Sequence, residues 1–198
     1  FAPIKKLVVD KTLSTTTKTF FLSQTLTDLK QLTKFGLSVS VVVSSLAGYF
    51  LAADQVQIKT LILLAIGGYC MVGASNAFNQ VIEREPDALM KRTMNRPVPT
   101  GRMSVSVALT IAVLLTLLGI IILYTINPKT ALFAAISIFL YTSVYTPMKP
   151  LSPISVFVGA LPGAIPFMLG WVAATGKFGI EAGVLFIIQF FWQFPHFW

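Results

Sequence analysis

Cysteine is almost missing from this chain: among 198 residues only Cys70 is present. It lies inside an apolar run, so a disulfide framework and a cysteine-based metal centre are both excluded. Charge is scarce as well. Charged residues make up 11% of the sequence, where a soluble domain carries about a quarter, and only 7 residues are acidic. The first 34 residues are rich in Thr and Lys without a compact apolar stretch, so no secretory signal is recognisable.

What is present is hydrophobic sequence. Apolar residues reach 55% and the mean hydropathy is +0.79. They fall into blocks of roughly 18–22 residues, the length that crosses a ~30 Å hydrocarbon core as helix. The expected architecture is an all-α, polytopic transmembrane bundle with spans near 35–53, 60–82, 105–126, 129–147, 153–175 and 180–198. Residues 1–34 form an N-terminal segment and 35–198 the membrane domain. Leu22, Leu26, Leu29 and Leu32 recur at helical spacing between polar residues, which predicts an amphipathic interfacial helix or a plain extension of the first span.

The net charge of +8 does not point to nucleic acid. Six spans place Lys5, Lys6, Lys11, Lys18, Lys30, Lys34, Arg84, Lys91, Arg92, Arg96, Arg102 and Lys149 on one side, 12 of the 15 basic residues. Lys59, Lys129 and Lys177 fall on the other. The positive-inside rule puts the N-terminus and the 83–104 connection in the cytoplasm or its equivalent. The expected location is a bacterial inner membrane, with the mitochondrial inner membrane as the alternative. The start at Phe1 and the stop at Trp198 without a basic flank lead to the expectation of a fragment.

Chemistry is expected where polar residues gather. The second span ends in Gly73-Ala74-Ser75-Asn76-Ala77-Phe78-Asn79, small and polar where lipid would favour apolar side chains. One long polar connection follows, from Glu83 to Ser104. Asn79, Glu83 and Asp87 are spaced four apart and share a helix face, although Pro86 threatens to kink the chain before Asp87. An amide with two carboxylates offers hard oxygen ligands suited to Mg²⁺, which completes its shell with substrate phosphates. Lys91, Arg92 and Arg96 follow closely and suit phosphate oxygens. A metal–diphosphate complex needs both sets. The bland alternative is a solvated loop of surface ion pairs, each contributing about 0–1 kcal/mol.

Three further features are open to two readings. The connection YTPMKPLSP carries Tyr145 and Lys149, which either join the same headgroup site or anchor the topology. Pro162 and Pro166, with Gly159, Gly163 and Gly170, either shape the fifth span or line a substrate chamber. His196, the only histidine, is a possible haem contact or an interior hydrogen-bonded residue, and nearby Trp192 is a possible haem contact or part of an aromatic belt.

With these residues in view, the segment NAFNQVIEREPDALMKRTMNRPVPTGR resembles the first Asp-rich signature, Asn-x₃-Asp-x₃-Asp, of the UbiA superfamily of intramembrane prenyltransferases. Within it, RTMNRPVPTGRMS, YTPMKPLSPISVFVGALPGAIPFMLGWVAATG and WQFPHFW are similar to the haem branch, the protohaem IX farnesyltransferases or haem O synthases. The resemblance implies nine helices around a cavity open to the membrane, and two Asp-rich loops that bind Mg²⁺ and a prenyl diphosphate. It implies transfer of farnesyl from farnesyl diphosphate to a vinyl group of haem B, giving haem O and diphosphate. Haem A synthase and terminal-oxidase assembly factors are implied partners. Asn79, Glu83 and Asp87 would hold the metal, and Lys91, Arg92, Arg96, Lys149 and Tyr145 the diphosphate. Glu83 departs from the usual Asp, and the second Asp-rich motif would fall beyond Trp198, so this stretch is expected to be inactive alone. The rival expectations are a UbiA-type enzyme acting on an aromatic acid or quinone precursor, and a membrane transporter.

Overall fold

The computed structural model describes residues 23–197, with side chains as far as Pro195, and among these all regular structure is helical. A short helix α1 (23–32) leads through a two-residue turn into α2 (Phe35–Ala52), followed by α3 (Ile58–Ile82), α4 (Arg84–Leu89) and α5 (Val105–Tyr124). Next come α6 (Pro128–Phe139), a π-helical stretch (Leu140–Tyr145) running into α7 (Thr146–Met148), then α8 (Ser155–Thr175) and α9 (Ile180–Phe197). Among the described residues, five helical segments are long and apolar enough to cross a membrane: Phe35–Ala52, Ile58–Ile82, Val105–Tyr124, Pro128–Met148 and Ser155–Thr175. Helix α9, apolar through Pro195, stands where the sixth run was expected.

The sequence sets which helices sit inside. Only 17% of the apolar window of α5 is buried, and Leu114, Leu117 and Ile121 point outward, as a helix facing hydrocarbon requires. In α3 and α8, rich in Gly and Ala, about half is buried (50% and 56%). Helices α2 and α8 cross with their backbones in close approach. A Cβ on Gly170 would overlap the Ser45 carbonyl, and one on Gly48 the Phe167 carbonyl, so only glycine lets these backbones touch.

Two helix starts and the proline-bearing span have local causes. Ser104 accepts from the Val107 N–H at 3.2 Å and caps α5. Asn127 accepts from the Thr130 N–H at 2.9 Å, with Pro128 at the first position of α6. Two prolines inside α8 do not interrupt it. Pro166 cannot donate to the Pro162 carbonyl, and the Ser137 hydroxyl of α6 donates there instead at 3.2 Å. The fifth span is therefore a continuous helix whose missing donor comes from its neighbour.

Helix α1 fills the expected amphipathic stretch except for Leu22, which lies outside the described residues. Leu29 and fully buried Leu32 pack against Ala77, Val98, Met103, Ala108 and Ala112, while Leu26 stays exposed. Buried Asp28 accepts from Arg102 Nε at 3.0 Å, and Arg102 also donates to the Asn95 carbonyl at 2.9 Å. Gln80 closes the end of α1, donating to the carbonyls of Gln31 and Leu32 at 2.8 and 3.1 Å. The Leu29–Leu32 end of the apolar face of α1 is thus covered by protein.

Candidate active site

Asn79 sits in the last turn of α3, Glu83 at the junction and Asp87 in α4. The Glu83 N–H bonds the Asn79 carbonyl at 2.9 Å, and the Asp87 N–H bonds the Glu83 carbonyl at 2.8 Å. Helical spacing therefore runs through all three. Pro86 lies in the first turn of α4, where a missing N–H is tolerated.

Burial is unusual for such groups. Asn79 and Asp87 are each 1% exposed and the Glu83 side chain 13%. Burying a carboxylate is costly unless it is paired, and each has a cation. Arg96 Nη1 lies 2.6 Å from Asp87 Oδ2, and Lys149 Nζ lies 3.0 Å from Glu83 Oε1. Lys149 also stands over the Tyr145 ring, 5.5 Å from its centroid. The two connections that the sequence placed on one side of the membrane therefore meet in an ion pair.

The Asn79 side-chain Nδ2 is buried with no hydrogen-bond partner. A buried N–H donor without a partner points to an absent acceptor, such as a phosphate oxygen, and leaves the amide oxygen as the atom that could ligate a metal. Among the described residues no cluster of three or more His, Cys, Asp and Glu could hold a metal alone. An amide and two carboxylates fit a Mg²⁺ ion that takes the rest of its shell from substrate and water.

Beside these residues opens an apolar cavity of about 500 Å³, walled among others by Val42, Asn76, Tyr141, Tyr145, Pro162 and Leu169. The π-helical stretch brings Tyr141 and Tyr145 side by side, with ring centroids 5.3 Å apart. It precedes Pro147, whose ring excludes a regular turn, and Thr146 bonds the Tyr141 carbonyl at 2.7 Å. Pro162, Gly163 and Pro166 line the cavity, so the proline-rich part of α8 does form a chamber wall.

The other expected site residues separate. Arg92 reaches the cavity wall, whereas Lys91 is exposed at the surface. Trp192 is 63% exposed and is not part of that wall; its neighbour Gln193 is, donating to the Ala160 carbonyl at 2.9 Å. The side chain of His196 lies outside the described residues. Tyr141 and Lys34 escaped the sequence reading. Tyr141 shared an apolar run with nothing to distinguish it, and Lys34 read only as a topology marker. Lys34 occupies the turn between α1 and α2 in the left-handed conformation (φ 46°), and its ammonium pKa is pushed down to about 8. Burial is the larger cause, followed by repulsion from Arg96 and Lys149, against which Glu83 and Asp87 pull the other way.

The chain is similar to known proteins in both sequence and fold. The sequence pattern of the UbiA prenyltransferase family matches residues 41–198. A relative from Christiangramia forsetii, described as protoheme IX farnesyltransferase, is 69% identical over 173 residues, 87% of this chain and 58% of its own. Another of the same description, from Flavobacterium psychrophilum, is 68% identical over 174 residues, again covering 58% of its length. One from the more distant Anaeromyxobacter sp. is 42% identical over 171 residues. The chain thus spans little more than half the length of these curated relatives. Among solved structures, a digeranylgeranylglyceryl phosphate synthase superposes with a TM-score of 0.76 at 20% identity, covering 84% of this chain and 59% of that one. A UbiA homolog from Archaeoglobus fulgidus bound to DMAPP and Mg²⁺ gives 0.70 at 15%, covering 85% and 62%. These two likenesses speak for the fold, and with the sequence match over four-fifths of the chain they lead to one conclusion: it belongs to the UbiA prenyltransferase family.

Proposed function

We propose that the whole protein transfers farnesyl from farnesyl diphosphate to a vinyl group of protohaem IX, giving haem O. The observation that carries this reading is the meeting of Asn79, Glu83 and Asp87 with Arg96 and Lys149 beside an apolar cavity. The acceptor follows from the description shared by relatives up to 69% identical.

In this reading Asn79, Glu83 and Asp87 would hold Mg²⁺ together with the diphosphate, and a bound ion would supply charge neutralisation for the leaving group. Arg96 and Lys149 exchange their carboxylate partners for phosphate oxygens as that charge grows. Lys91 and Arg92 add cations at the rim, and the Tyr145 hydroxyl is within the same wall. Such preorganised charge is worth several kcal/mol in a dry site. The allylic C–O bond breaks with its electron pair going to diphosphate. The vinyl π electrons form the new C–C bond, and water captures the resulting cation and loses a proton, leaving the hydroxyl. Walls such as Tyr141, Val42 and Leu169 keep water out until then. His196 and Trp192 remain proposed haem contacts at the end of α9.

The loop end of the bundle faces the cytoplasm in this reading, and the membrane is a bacterial inner membrane. Haem A synthase or oxidase assembly factors would take the product. The test uses the full-length gene product in membranes with haem B, farnesyl diphosphate and Mg²⁺. Mass spectrometry should find haem O, and chelation should abolish it. A prenylated phenolic acid in place of haem O would move the protein to the aromatic-acid branch. Transport loses support because the buried charges gather at one end of the bundle, not at its middle.

A further inference from the structure

A second cavity opens on the outer side of the same loops, between α1 and the 90–97 turn. Its walls include Lys30, Lys34, Arg92 and Arg96, joined by the polar side chains of Thr27, Gln31 and Asn95, and no carboxylate is among them. Thr27, Lys30, Gln31 and Lys34 follow helical spacing and form one face of α1 and its turn. Among the described residues, Arg96 is the only one of the four cations in an ion pair. Three cations of this hollow that have no counter-ion among the described residues, beside a fourth that is paired, make an arrangement an anion would relieve.

The fold holds this hollow in place. Asn76 donates to the Thr33 carbonyl and to Ser38 Oγ, both at 3.4 Å, and Ser38 Oγ donates to the Thr33 carbonyl at 2.7 Å. Thr33 Oγ1 meets the Tyr69 hydroxyl at 3.0 Å. These bonds fix the turn in which Lys34 takes its left-handed backbone, a conformation costly for a non-glycine residue. Burial and the neighbouring cations push the Lys34 ammonium down to about 8, as expected for a cation awaiting its partner.

The hollow adjoins the apolar cavity, with Leu37 and Arg92 among the walls of both. A ligand that fills both must be flat or extended and apolar at one end, and carry anionic groups at the other. Protohaem meets this description, with two propionate carboxylates on the edge away from its vinyl groups. We propose that Lys30 and Lys34, with Arg92 at the junction, form the subsite that binds the propionates of the haem acceptor and so turns its vinyl edge into the cavity. This rests on the acceptor named under the proposed function, and neither lysine belongs to the metal–diphosphate set.

The experiment measures haem binding to the full-length protein in phosphatidylcholine nanodiscs by Soret titration, without turnover, using haem B and haem B dimethyl ester. The expected result is at least tenfold tighter binding of the free acid, a preference reduced severalfold in Lys30→Gln and Lys34→Gln and restored in Lys30→Arg. In turnover the same variants should raise KM for haem and leave KM for farnesyl diphosphate unchanged. Equal binding of acid and ester by the wild type overturns the proposal. So does a rise in KM for farnesyl diphosphate alone, which would give the lysines to the donor. Loss of the preference on adding phosphatidylglycerol also overturns it, by making the hollow a lipid-headgroup site. Failure of the function itself reads differently: haem binds with the acid preference, yet no farnesylated haem forms.

Discussion

Both ends of the helix bundle carry acidic and basic side chains, but only one end buries them. At the loop end Asp28, Glu83 and Asp87 are withdrawn from solvent, and each is matched by a cation from a different segment. At the opposite end Asp54, Lys59, Lys129, Lys177 and Glu181 are all exposed, and none forms an ion pair among the described residues. Exposed charges of this kind contribute little to stability and mark a surface. A buried pair often contributes no more than well-packed apolar side chains would, so its persistence points away from stability. The loop end carries a desolvation cost that the fold alone does not require.

Removing a buried carboxylate tests the contrast most strongly. In the full-length protein, Glu83→Ala or Asp87→Ala should lower haem O formation by about 10²–10³-fold or more, with membrane insertion unchanged. Glu181→Ala at the other end should leave the rate within twofold of wild type. Normal turnover in the Glu83 or Asp87 variant would remove both residues from the metal site.

A smaller effect separates pairing from catalysis. Arg96→Leu leaves the Asp87 carboxylate, 1% exposed, without its cation. The expected loss is about 3–5 kcal/mol of unfolding free energy without Mg²⁺, and Arg96→Leu with Asp87→Leu should recover most of it. Lys129→Leu, at the exposed end, should stay within about 0.5 kcal/mol. Denaturant melts in detergent read all three, and an additive double variant would mean the pair is not coupled.

The bundle and much of its site were legible in the sequence for different reasons. Apolar runs give helices directly, because backbone groups in hydrocarbon have few other ways to be satisfied. The spacing of Asn79, Glu83 and Asp87 survived Pro86 because the proline fell in a first turn. The union of Glu83 with Lys149 was expected only to the extent that both lay on one side; the pairing itself depends on how α3 meets α7. Tyr141 was invisible because its role comes from a π-helical register set by Pro147, a residue later in the chain. Lys34 was invisible because its chemistry comes from a turn held by Thr33, Ser38 and Asn76, and their hydrogen bonds leave no trace in the sequence pattern. Trp192 read on type alone as either a haem contact or part of an aromatic belt; it is 63% exposed and outside the wall of the apolar cavity.

The α2–α8 crossing supplies a comparison that involves no charge. Gly170→Ala drives a methyl group into the Ser45 carbonyl, and backbone cannot rotate away as a side chain would. The expected loss is about 1–3 kcal/mol or more, seen as a lower melting temperature in detergent. Gly183→Ala, where a Cβ meets nothing within 4 Å, should be neutral or slightly stabilising. Equal effects from the two would mean the crossing is looser than the structure has it.

The smallest expected effect is also the one that links the two cavities. Lys34 faces Arg96, Lys149, Glu83 and Asp87, and shares its hollow with Lys30 and Arg92. Its folded pKa of about 8 lies below the unfolded value of 10.5. From about pH 8 to 10.5 the unfolded chain therefore holds more protons, and stability without ligand rises with pH across that window. Ligand binding runs the other way. A propionate beside Lys34 raises its pKa, so haem affinity is full below about pH 8 and falls as pH rises through it. At pH 9 the loss should approach about tenfold, one pH unit of linkage. Haem dimethyl ester should show no such slope, and Lys34→Gln should flatten the curve for haem itself. A slope that persists in Lys34→Gln would assign the titration to another group and leave Lys34 as a strained turn residue without a ligand.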